Sequence, residues 1–197
     1  KLKLKLKLKL TLARNGYRLM KGILFTEFNE MVETQFSPEL LDEIIVECDL
    51  ASGGAYTTVG TYDHDELIQM VTKLAEKTST STDDLVFGFG EHLAGRFVAL
   101  FPSFFDESKS MFEFMKTLEN HIHVEVQKLY PDATLPKFSF DDTDPSCLIM
   151  EYQSSRGFST LAHGLMQGVV KYYKEAITIR PEHISGNSHV RFHLTKT

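Results

Sequence analysis

Four residues in this chain combine type and spacing in a way that could do chemistry: His123, and the trio Tyr152, Ser154 and Arg156. His123 stands beside a helical apolar stripe of Met115, Leu118, Ile122 and Val126. An imidazole shielded there could ligate a metal or carry a proton. At about 100° per residue its azimuth is close to those of Phe112, Glu119, Val126 and Tyr130, whereas His121 falls about 200° away. Two histidines at i, i+2 cannot close on one metal as the i, i+4 pair of a zinc helix does, so a His-x-His zinc site is not expected. On spacing alone, a lone histidine in such a stripe is more often a satisfied core residue than a ligand.

The trio is a different kind of signal. Read as a strand, 148–156 alternates and sends Tyr152, Ser154 and Arg156 to one face. Two hydroxyls and a guanidinium fork are a donor set for one or two carboxylates. Charge-assisted bonds of this kind are worth roughly 1.5–3 kcal/mol each. The same pattern also fits a polar strand face turned to solvent.

The elements that must position these residues can be read along the chain. Lys1 to Leu10 is a strict Lys-Leu alternation. It is too short and too charged to span a membrane and lacks the apolar run of a signal peptide, so residues 1–19 are read as a non-native leader. The body, 20–197, is expected to be one domain. Helices are expected over 22–36, from Ser37-Pro38 onward, from about Asp63, over about 84–101, and over 111–130. A Gly-rich turn region with a short extended piece is expected at 51–60, and a loop at 131–136. Gly88, Gly90 and Gly95 are costly in a helix, about 1 kcal/mol each against Ala, which implies close approach of a neighbour to that backbone. Strands are expected at 138–140 and 148–156, then a helix over 158–173 and a hairpin around Ser185-Gly-Asn-Ser188. Helices first, then strands around one helix, make the fold class α+β.

Composition narrows the function classes. The formal charge of -6 hides seven basic residues and no acid in 1–19, which leaves 14 basic against 27 acidic residues beyond, about -13. Such an acidic body repels phosphate backbones and argues against a nucleic-acid partner. Two cysteines, Cys48 and Cys147, have no CxxC spacing and fit a reducing cytoplasm. Fifteen Phe could fill a core or line a large apolar cavity. No Ser-His-Asp order, phosphate loop or paired-carboxylate motif stands out, so no enzyme is expected. His92 and His163 fall within helices; His183, His189 and His193 fall in the tail.

Met20-Lys-Gly-Ile23, His123-Val-Glu-Val-Gln-Lys-Leu-Tyr130 and Tyr152-x-Ser154-x-Arg156 resemble the haem nitric oxide/oxygen binding (H-NOX) family, the sensor domain type of soluble guanylate cyclase as well. The resemblance runs over essentially 20–197 with its elements in matching order. It implies a helical N-terminal lobe and a C-terminal antiparallel sheet with helices, enclosing a pocket for haem b (protoporphyrin IX iron). His123 matches the proximal iron ligand, and Tyr152, Ser154 and Arg156 match the residues that hold the propionates. Pro136 matches a proline that presses on the porphyrin, and Leu24, Phe28, Phe97, Leu161 and Leu165 fall where the family lines its pocket. Oxygen-binding members carry a distal tyrosine five residues after the motif arginine; here that position is Leu161. Phe28 stands where some members have Trp, and neither offers a donor to bound O₂.

The resemblance therefore implies a nitric oxide sensor, with CO expected to bind as well. Its expected partner is a sensor histidine kinase or cyclic-di-GMP enzyme on a separate chain, with no membrane role. A cysteine-rich zinc site found in some members is not expected, since Cys147 stands alone. Two other readings remain: an O₂-binding haem sensor or carrier using another donor such as Thr160, and a haem-free module binding some other carboxylate-bearing apolar ligand.

Overall fold

The computed structural model describes residues 19–131 and 134–197. The residues read as a Lys-Leu leader, 1–19, lie outside these apart from Leu19. The chain divides into two compact units, one ending at Thr82 and one running Asp83–Thr197.

In the first unit, β1 (Leu19–Lys21) pairs antiparallel with β2 (Thr61–Asp63), Met20 opposite Tyr62. Three helices, α1 (Gly22–Gln35), α2 (Pro38–Glu47) and α3 (His64–Thr78), form the rest. Their starts follow local chemistry. Ser37 Oγ accepts a hydrogen bond from Leu40 N at 3.1 Å with Pro38 in the first turn, and Asp63 Oδ1 accepts from Asp65 N at 3.0 Å. Phe25, Phe28, Met31, Ile44, Met70 and Leu74 are fully or almost fully buried. The Gly-rich segment 51–60 is turns, as expected, and its extended piece lies just beyond it, in β2. Buried Glu66 holds this segment by accepting from Ser52 Oγ at 2.5 Å and Tyr56 Oη at 2.8 Å.

The second unit contains α4 (Thr82–Leu100, begun at the end of the first), α5 (Pro102–Asp106), α6 (Met111–Thr117), a π-helical turn (Leu118–Ile122) and α7 (His123–Leu129). Then come β3 (Lys137–Asp144), β4 (Cys147–Gln153), α8 (Ser159–Tyr173), β5 (Ile177–Ser185) and β6 (His189–Lys196). The four strands form one antiparallel sheet in the order β3-β4-β6-β5. Strand alternation turns Leu148, Met150, Tyr152, Val190, Phe192 and Leu194 inward, where they share a core with Met166, Val169 and Val170 of α8. Phe105, Met111, Phe114 and Met115 complete it. The α+β expectation holds.

Three expectations need correction. The helix expected over 111–130 is broken in phase by the π turn, so the constant azimuth step does not carry from Met115 to His123. The strand expected to reach 156 ends at Gln153, and Ser154–Arg156 form a turn. That turn is closed by Gly157 N donating to Ser154 O at 3.3 Å, with Gly157 at φ +67°, where a side chain would be strained. Of the three α4 glycines, only Gly90 is closely approached; a Cβ at Gly88 or Gly95 would meet nothing within 4 Å.

Candidate functional site

His123 opens α7 at the end of the π turn, its backbone N–H bonded to Leu118 O in the i to i−5 pattern. The inserted residue aims the following side chains differently from a plain α-helix, and such turns recur at functional positions. The His123 side chain is only 14% exposed. Its Nδ1 faces Glu119 Oε2 at 3.8 Å, and its ring lies tilted by 33° against Phe138, centroids 5.2 Å apart. Burial pushes the imidazole below its ordinary pKa, and the Glu119 carboxylate partly opposes this. The neutral ring is favoured, the form able to ligate a metal. His121 points elsewhere, as its spacing predicts: its Nε2 lies 3.8 Å from Glu107 Oε2 and its ring is edge-on to Phe104.

β3 links this helix to the trio. Phe138 sits opposite Tyr152 in the antiparallel register, with ring centroids 6.0 Å apart. Tyr152 is buried, and burial raises its phenol above the ordinary range, opposed by a hydrogen bond with Ser154 and by the charge of Arg156. Ser154 Oγ accepts from Arg156 N at 3.2 Å. So the three residues do converge, by a turn rather than by strand alternation. The Arg156 guanidinium is half-buried; desolvation lowers its pKa, and Nη1 donates to Thr134 O at 3.0 Å. That bond ties the segment carrying Leu135 and Pro136 to the Arg156 turn.

The remaining pocket candidates fall on helices. Phe97 lies on α4 and Leu161 and Leu165 on α8, all three partly buried. A Cβ on Gly90 would stand 2.5 Å from Leu161 O and 2.7 Å from Leu165 N, so α4 and α8 run in backbone contact there. Leu24 and Phe28 belong to α1 in the first unit, with Phe28 fully buried. His163 packs edge-on to Phe87 at 5.0 Å, while His189 pairs with Glu151 and His193 with Glu182 on the sheet. Sequence reasoning did not single out Phe138 or Thr134, whose roles depend on register and loop path. It placed Glu119 at His123's azimuth without giving it a role.

The Haem-NO-binding family model matches residues 21–181, most of the chain. This chain belongs to the Haem-NO-binding family. Family members are haem-binding gas-sensor domains, and haem is the cofactor. The unliganded Fe(II) H-NOX protein from K. algicida is 37% identical, with a TM-score of 0.85 over 90% of this chain and 97% of that one. The H-NOX from Shewanella woodyi, solved with IWP-051 in the Fe(II)CO state, is 39% identical with a TM-score of 0.80, covering 90% and 95%. The S. oneidensis H-NOX protein in its Fe(II)NO state shares the fold at a TM-score of 0.81 and 23% identity, covering 90% and 99%. Comparison with curated proteins gave no match. No helix among the described residues is long and apolar enough to cross a membrane.

Proposed function

We propose that this protein is a haem-based nitric oxide sensor in which His123 ligates the iron and a conformational change is read by a separate partner protein. The observation that carries this reading is the state of His123: a shielded, neutral-leaning imidazole between a carboxylate and an aromatic ring, one cross-strand step from an arginine–hydroxyl turn. That donor set fits haem, which needs one neutral nitrogen for its iron and cationic and hydroxyl donors for its carboxylates. When bound, the haem supplies a ferrous iron that takes a diatomic ligand.

The chain's own residues have distinct jobs in this reading. Tyr152, Ser154 and Arg156 hold the propionates. Thr134 O, by accepting from Arg156, fixes the segment that brings Pro136 to the porphyrin. The family resemblance assigns apolar haem contacts to Phe97, Leu161 and Leu165 in the second unit and, in the first, to Leu24 and Phe28. With Leu161 and Phe28 lacking a donor, bound O₂ would go without the hydrogen bond its partial charge needs, whereas NO requires none. Holding or freeing the His123 ring would bias the position of α7, the kind of two-state element a partner can read. A sensor histidine kinase or cyclic-di-GMP enzyme is the class of partner the family resemblance favours.

The absorption spectrum of the purified ferrous protein, with and without NO, tests the reading. A haem band that shifts to a five-coordinate form with NO is expected. His123→Ala, made without exogenous imidazole, should lose most haem; full retention with an unchanged spectrum overturns the ligand assignment. Arg156→Ala should weaken haem retention at least tenfold, the loss of one charge-assisted bond. A stable oxy spectrum in air would favour the O₂-binding alternative. Colourless protein after expression with ample haem would favour the haem-free module.

A further inference from the structure

We infer that Glu119 is the positioning residue for His123 and the link that ties its ring to the sheet; the inference rests on His123 being the iron ligand. Glu119 stands in the π turn, four residues before His123, and its two carboxylate oxygens face different elements. Oε1 accepts the backbone N–H of Phe138 on β3 at 2.5 Å, and Oε2 faces His123 Nδ1 at 3.8 Å. Among the described residues β3 is an edge strand with no strand beyond it, and Glu119 supplies the acceptor for the Phe138 N–H. The same Phe138 lays its ring against the His123 imidazole. One residue of β3 therefore restrains His123 twice, directly through its side chain and through Glu119 from its backbone.

The chemistry of a ligating imidazole gives this arrangement its purpose. A carboxylate at Nδ1 favours the tautomer with the proton on that nitrogen and leaves Nε2 as the donor atom. It also orients the ring and raises its basicity toward a metal. Glu119 is itself only 31% exposed and held by a backbone donor, so its position is set by β3 rather than by solvent. Any movement of α7 relative to β3 changes the Glu119–His123 distance. The strength of the iron–histidine bond and the geometry of the sheet edge are thereby coupled.

The test uses this chain carrying haem, with Glu119→Leu and Glu119→Gln compared by resonance Raman and by haem dissociation. Glu119→Leu should lower the ferrous iron–histidine stretching frequency and weaken haem affinity roughly ten- to hundredfold, the usual cost of losing a partner behind a metal ligand. Glu119→Gln keeps an acceptor for the Phe138 N–H but loses the charge, so its stretch should fall between the two. If Glu119→Leu holds no haem, the Gln variant decides, a lowered stretch supporting the role and an unchanged one overturning it. Weaker haem binding with an unchanged stretch in both variants also overturns it, because a merely structural role would do that. A wild-type protein with haem but no iron–histidine stretch sinks the ligand assignment instead, a separate outcome.

Discussion

α8 and the segment that carries His123 are held in opposite ways. α8 buries Ser159, Gly164, Met166, Val169 and Val170 and meets α4 backbone to backbone. A Cβ on Gly164 would collide with Phe87 O, and one on Gly168 with the Ala94 side chain. The π turn and α7, by contrast, have no fully buried residue; their side chains are half-buried or exposed, Leu129 among the latter. Interlocked backbones have no room to slide, whereas a helix held by few buried contacts opens and shifts at low cost. The difference teaches where motion is built in: the candidate iron ligand lies on the loosely held element, and Leu161 and Leu165 lie on the locked one.

The largest expected effect is at the seam. Gly164→Ala should lower stability by about 2 kcal/mol in urea unfolding, an overpacking cost of about 3 kcal/mol at a backbone contact less the roughly 1 kcal/mol of helix propensity that Ala adds. A neutral result would mean that α4 and α8 can separate, and would erase the contrast. Next comes hydrogen exchange: amides of 118–129 should exchange at least tenfold faster than those of 164–170, about 1.4 kcal/mol less protection. Equal protection would remove the basis for a mobile ligand helix.

Gly88→Ala should move the other way, stabilising by about 0.5–1 kcal/mol, since its Cβ enters open space on the same helix whose Gly90 admits none. The smallest effect is in pH. Burial holds His163 of α8 below the ordinary histidine pKa, with Glu91 opposing. The unfolded chain therefore takes up this proton first as pH falls past about 6.5, and stability present above that value is lost as pH drops toward the folded value. His163→Phe should flatten the fall in urea midpoint between pH 7.5 and 5.5; an unchanged slope would show that His163 does not contribute.

Much of this was legible where the cause is local. Ser37-Pro38 and Asp63 start their helices because a cap needs only a side-chain oxygen and three following residues. Ser185-Gly-Asn-Ser188 turns the last hairpin for a similar reason, with Gly186 at φ +51°. The hydroxyl and guanidinium donors of Tyr152-x-Ser154-x-Arg156 were legible because donor chemistry belongs to the residues themselves, whereas the turn that carries Ser154–Arg156 was misread as strand. The three α4 glycines could not be told apart in one dimension; only the helix that crosses Gly90 distinguishes it from Gly88 and Gly95.

The sequence by itself determined the α+β order of elements, the donor types of the trio, and a histidine four residues after Glu119. Tertiary structure alone decided that the helix breaks into a π turn before His123, that the trio closes by a turn tied to Thr134, and that Phe138 meets both His123 and Tyr152. The physical reason is range: helix caps and side-chain chemistry are settled within a few residues, whereas strand register and helix crossings depend on partners 14 to 74 positions away in residue number, as in Phe138 with Tyr152 and Gly90 with Gly164.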